Sequence, residues 1–64
     1  MNKYNLRVFP GDRFYTENII SQHYYVDDFR INFYSFVDDD KIIIASYPSA
    51  IVIIESVEYD IAKQ

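Results

Sequence analysis

The chain has 64 residues, half of them hydrophobic and 25% charged, with a formal net charge of −4. That length allows a single domain, 1–64, and the composition is that of a folded chain, not a disordered one. The absence of cysteine excludes a disulfide scaffold and a thiolate metal site.

A chain this short buries only about 60% of its unfolded surface, so small domains usually lean on a disulfide, a metal or a second subunit. With disulfides excluded, self-association is the expected support. The cations Lys3, Arg7, Arg13, Arg30, Lys41 and Lys63 are scattered and form no basic block, so nucleic acid is not an expected partner. The start, Met1-Asn2-Lys3-Tyr4-Asn5, lacks the apolar region of a signal peptide. The apolar runs Ile42-Ile43-Ile44-Ala45 and Ala50-Ile51-Val52-Ile53-Ile54 are too short to span a bilayer. A soluble cytoplasmic protein with no membrane partner is expected.

In chain order, residues 4–9 alternate, with Tyr4, Leu6 and Val8 on one face of a strand. Phe9-Pro10-Gly11-Asp12 follows, and proline before glycine predicts a type II turn with Gly11 at positive φ. Its partner strand should begin near Arg13. Residues 14–26 are poor helix formers despite a possible cap at Thr16, and Tyr24-Tyr25-Val26 has strand character, so bent β structure is expected. Phe29, Ile31, Phe33 and Val37 share one strand face; Arg30, Asn32 and Tyr34 share the other. Asp38-Asp39-Asp40-Lys41 predicts a polar turn, residues 41–47 the next strand, and Pro48 its end. A last strand starts at Ile51. Glu55 and Glu58 both reach water only if the alternation slips near Ser56, which predicts a bulge there. From Tyr59 the tail is left open between strand and a short helical turn. Together these elements predict an all-β meander of about five antiparallel strands, closed as an SH3-like barrel or a curled sheet.

Motifs for chemistry are sparse. His23 is the sole histidine, and beside Tyr24 and Tyr25 it reads as a partly buried packing residue. Ser46 and Ser49 read as turn residues. Neither a nucleophile motif nor a glycine-rich phosphate loop is present. Asp38, Asp39 and Asp40 lack the spacing of a calcium loop. A non-enzymatic protein with no cofactor and no metal is expected.

Seven tyrosines in 64 residues carry more information. Tyrosine combines rigid contact area with a polar tip and is enriched at interfaces. Adjacent Tyr24 and Tyr25 must point to opposite faces of a strand, and Tyr34 and Phe36 lie opposite the core face. The expected partner-binding surface is therefore Tyr24, Tyr25, Tyr34, Phe36 and Tyr47 with the acidic Asp38, Asp39 and Asp40, set against a protein target. The runs Ile42-Ile43-Ile44 and Ile51-Val52-Ile53-Ile54 lack polar alternation, as strands covered on both faces do. Paired as one hairpin over 41–54, they would leave Ile43 and either Val52 and Ile54 or Ile51 and Ile53 exposed. A homodimer interface at Ile43, Ile51, Val52, Ile53 and Ile54 is expected.

The isoleucine, asparagine, aspartate, lysine and tyrosine usage resembles that of AT-rich genomes, and in size, acidity and lack of motifs the chain resembles small accessory proteins of phages and mobile elements. That resemblance implies a binder that inhibits a host factor, such as a defence system, within the host cytoplasm. The alternatives are an oligomer that sequesters a nucleotide-like small ligand and a structural subunit of a virion-like assembly.

Overall fold

A computed structural model describes residues 1–61. It is all-β, with six strands: β1 (Asn2–Val8), β2 (Tyr15–Ser21), β3 (His23–Val26), β4 (Arg30–Val37), β5 (Asp40–Pro48) and β6 (Val52–Glu58). A 3-10 turn, Ser49–Ile51, joins the last two. The strands form two three-stranded antiparallel sheets, β2-β1-β6 (sheet A) and β3-β4-β5 (sheet B). The predicted five-strand meander, barrel or curled sheet is therefore corrected. Two separate sheets face each other, and the Cα atoms span a slab of 39 × 26 × 12 Å.

The alternation of the first strand accounts for half of the core. Tyr4, Leu6 and Val8 project from β1 onto Ile31 and Phe33 of β4, and all five are buried. The Tyr4 and Phe33 rings meet at 5.2 Å between centroids. Ile19, Ala45, Tyr47, Ile51, Val52, Ile54 and Val57 close the margins. Phe29, expected on the core face, lies outside β4 and is 80% exposed.

The chain changes sheets at Gln22, between β2 and β3, which is the bend expected in 14–26. Side chains satisfy the backbone there. Gln22 N–H donates to Ser35 Oγ (3.0 Å), Asn2 Nδ2 donates to Gln22 O (3.1 Å) and Ser21 Oγ donates to His23 O (2.9 Å). Gln22 in turn accepts from Phe36 N–H through Oε1 at 2.8 Å. Small hydroxyl residues are used because Ser21 and Ser35 are themselves buried at the seam.

Both irregular pairings place an extra residue in a strand. Leu6 faces Ile54 and Asn5 faces Ser56, so Glu55 is the bulged residue, beside the expected position. The bulge turns Glu55 outward to Arg7, while Glu58 lies 3.8 Å from Lys3. In β5, Tyr34 faces Ile43 and Phe33 faces Ala45, which makes Ile44 the bulged residue.

Two turns differ in how well the sequence foretold them. Asp38 and Asp39 connect β4 to β5 as a two-residue turn with φ of 51° and 67°. That is the left-handed pair demanded by the tight hairpin geometry matching sheet twist. Aspartate tolerates this region less well than glycine. Asp39→Gly should raise stability by about 0.5–1 kcal/mol in a denaturant titration.

Pro10-Gly11 corrects the type II assignment, because Gly11 does not adopt positive φ. The connection from β1 to β2 is instead a longer loop, anchored where Phe9 N–H donates to Ile51 O (2.7 Å) and Phe9 packs on Phe14 (5.4 Å). A Cβ on Gly11 would meet nothing within 4 Å. Gly11→Ala is thus expected to stabilise by about 0.4–1 kcal/mol, by restricting the unfolded chain. A lowered melting temperature would contradict this placement.

The expected 41–54 hairpin does not exist, since β5 and β6 belong to different sheets. Ile51, Val52 and Ile54 pack toward the core. Ile53, opposite Arg7, lies on the outer face of sheet A. At the tail, Ile61 N–H donates to Met1 O (2.9 Å) and Asp60 N–H to Asn2 Oδ1 (3.2 Å). The remaining tail, with Lys63, lies outside the described residues.

Candidate functional site

The pairing registers gather on the outer face of sheet B most of the aromatic residues expected to meet a partner. Opposite residues of antiparallel strands share a face, so His23 and Tyr25 of β3 lie with Asn32 and Tyr34 of β4. On the other side, Tyr34 lies with Ile43 and Phe36 with Lys41 of β5. The rings interlock. Tyr34 meets His23 at 5.4 Å, Tyr25 at 5.6 Å and Phe36 at 5.8 Å, the last at an interplanar angle of 88°. Edge-to-face contacts of this kind align the positive ring edge with the negative face of the neighbour.

Lys41 completes the cluster. Its Nζ lies 4.2 Å from the centroid of Tyr25 and 4.5 Å from that of Tyr34. Each such contact contributes about 0.5–1 kcal/mol at an exposed site. From the sequence Lys41 is expected where the acidic turn passes into the next strand, with no role in binding. Its contact with Tyr25 crosses β4 diagonally, because Lys41 pairs with Phe36 and Tyr25 with Asn32, and it needs the full reach of the lysine side chain.

One end of this face is polar. Asn32 is buried, and its Oδ1 accepts from Ser46 Oγ at 2.7 Å. Arg30 donates through Nε to Ser46 Oγ (2.7 Å) and through Nη2 to Ser46 O (3.1 Å). Ser46 is thus a strand residue inside a network, not the expected turn residue. Asp27 closes the β3–β4 connection by accepting from the N–H groups of Phe29 (3.0 Å) and Arg30 (2.8 Å). Those two donors hold its carboxyl below the ordinary aspartate value.

The remaining expected residues lie elsewhere. Tyr24 and Tyr25 do point to opposite faces, but Tyr24 turns toward the core, 5.4 Å from Tyr4 and 6.0 Å from Phe33. Tyr47 also points inward, edge-on to Phe33 at 6.5 Å. Burial, with Glu17 and Tyr15 near, pushes its phenol up. Asp38 and Asp39 form the hairpin turn at the far end of sheet B, with Asp40 opening β5. His23 is exposed beside Tyr34, not partly buried as expected. No family model, curated protein or solved structure matches this chain.

A run of apolar exposure lies along β5, one of the two edges of sheet B. Strand β5 pairs only with β4, and Ile42, Ile43 and Ile44 remain 44%, 47% and 48% exposed. Phe36 and Val37 continue that apolar surface on the adjoining strand. Among the described residues no three His, Cys, Asp or Glu side chains are grouped to hold a metal. No helix among them is long and apolar enough to cross a membrane.

Proposed function

We propose that the protein is a non-enzymatic binding protein that pairs with a second copy along β5 and offers the outer face of sheet B to a protein target. The observation that carries this reading is the uncovered isoleucine run on an edge strand. Such an edge displays unpaired backbone groups next to apolar side chains, and it aggregates unless it is paired. The total exposed surface is 4670 Å², against roughly 4,300 Å² for a compact monomer of this mass.

Side-chain parity supports a particular pairing. Ile42 and Ala45 face inward with Ser35 and Phe33, while Lys41 and Ser46 face outward with Phe36 and Asn32. A two-fold pairing centred between Ile43 and Ile44 sets Ile42 opposite Ala45 and Lys41 opposite Ser46. Each pair then shares a face. The same pairing brings Asp39 of one copy beside Pro48, and so near Arg30, of the other. Opposite charges at the two ends favour this register over a slipped one.

Inhibition of a host factor, in the manner of phage accessory proteins, is the role favoured by the resemblance in size and composition. Self-association is tested by sedimentation at micromolar concentration. The expected species has twice the 7.7 kDa chain mass, and Ile43→Asp returns it to monomer. A sharp, folded monomer of the unaltered chain would sink the proposal.

A further inference from the structure

We propose that Tyr25 and Tyr34 form a slot for the cationic side chain of a partner, arginine or methylated lysine in a basic peptide segment, and that Lys41 is its built-in occupant. The slot deepens the reading of sheet B's outer face as a contact surface. It does not depend on self-association, because it lies over β3 and β4, across from the free edge of β5.

The position of Lys41 is the leading observation. Its neighbours in the chain are Asp38, Asp39 and Asp40, yet the ion pairs among the described residues are Lys3–Glu58 and Arg7–Glu55. The ammonium lies instead over two ring faces, at 4.2 and 4.5 Å. The rings are held independently of the lysine. Tyr25 stands at 63° to Tyr34, and Tyr34 is braced by His23 and Phe36, whose own rings meet at 6.4 Å. Two electron-rich faces converge on one point, and among the described residues Lys41 is the cation that fills it.

Charge and hydration decide what displaces it. The chain carries a net charge of −4, and the acidic hairpin turn adjoins Lys41, so the potential around the slot draws in cations. A primary ammonium is compact and strongly hydrated, whereas guanidinium and methylated ammonium groups shed water more readily and stack better on aromatic faces. The tether raises the effective concentration of Lys41 in the slot. An external cation of the softer kind still gains by replacing it, and the released ammonium falls back among Asp38, Asp39 and Asp40. The lysine thereby selects against ordinary unmodified lysine, which offers no gain over the resident group.

The experiment compares the full chain with Lys41→Met by following the ring protons of Tyr25 and Tyr34 by NMR. The probes are a short peptide carrying trimethyllysine and the same peptide carrying its neutral carbon isostere. Removing the resident cation should tighten binding of the charged peptide by about tenfold, with no comparable gain for the isostere. Tyr34→Leu in the Lys41→Met background should abolish that gain. If Lys41→Met is not folded by circular dichroism, Lys41→Gln takes its place. Equal affinity of the variant and the parent chain for the charged peptide would overturn the proposal. So would equal gains for the charged and neutral peptides. Every copy carries its own slot, so a monomer in sedimentation leaves these outcomes readable and would count against β5 pairing alone.

Discussion

Phe33→Ala is expected to cost about 3–5 kcal/mol and leave little folded protein, because a buried aromatic side chain loses both its transfer free energy and its packing. Phe33 is the most enclosed large side chain, at 0% exposure, and it touches both sheets through Tyr4, Tyr24 and Tyr47. A domain of this length has a total stability of roughly 3–10 kcal/mol, so this one substitution consumes much of the margin. Phe29→Ala is the matched control. Alternation assigns Phe29 and Phe33 to the same face, but Phe29 is 80% exposed, so its truncation should change stability by less than about 0.5 kcal/mol. Denaturant midpoints of the two variants measure the difference. Equal effects would mean that the strand does not begin at Arg30.

Ser35→Ala should destabilise by about 1–3 kcal/mol, an unusual loss for removing one oxygen atom. The hydroxyl accepts the Gln22 N–H at the corner where the chain leaves sheet A for sheet B. Ser35 is almost fully buried, so little water reaches the amide in its place. Ser21→Ala tests whether the effect is specific to an orphaned donor. Ser21 Oγ donates to the His23 carbonyl, and a carbonyl tolerates a missing partner better than an N–H does. Ser35→Ala should therefore be the worse of the two by chemical denaturation. The reverse order would show that the Gln22 amide is not what holds the corner.

The slot and the isoleucine edge were legible to different degrees. The wealth of tyrosine and the opposition of Tyr24 to Tyr25 could be read directly, because side chains alternate in any strand. Which of the two faces outward could not, since that requires the partner strand. Tyr47 looks as exposed as Tyr34 in the sequence, yet it faces Phe33. The bulge at Ile44 shifts parity partway along β5, and no local pattern in Ile42-Ile43-Ile44 marks that shift. The bulge at Glu55 was readable because a carboxylate on the inner face would have been too costly to bury.

By itself, the order of residues determined the all-β class, the core face Tyr4-Leu6-Val8 and the acidic turn after Val37, and it favoured bent β structure over a short helix in 14–26. These are local matters of period, propensity and turn chemistry, settled within a few residues of chain. Only the tertiary structure decided that the strands divide into two sheets, that β5 and β6 part instead of forming a hairpin, and that Gly11 keeps an ordinary φ. It also decided that Lys41 meets Tyr25 across an intervening strand. Each of these depends on pairing between segments distant in sequence, where register is chosen by the burial of both faces together and not by the pattern of either strand alone.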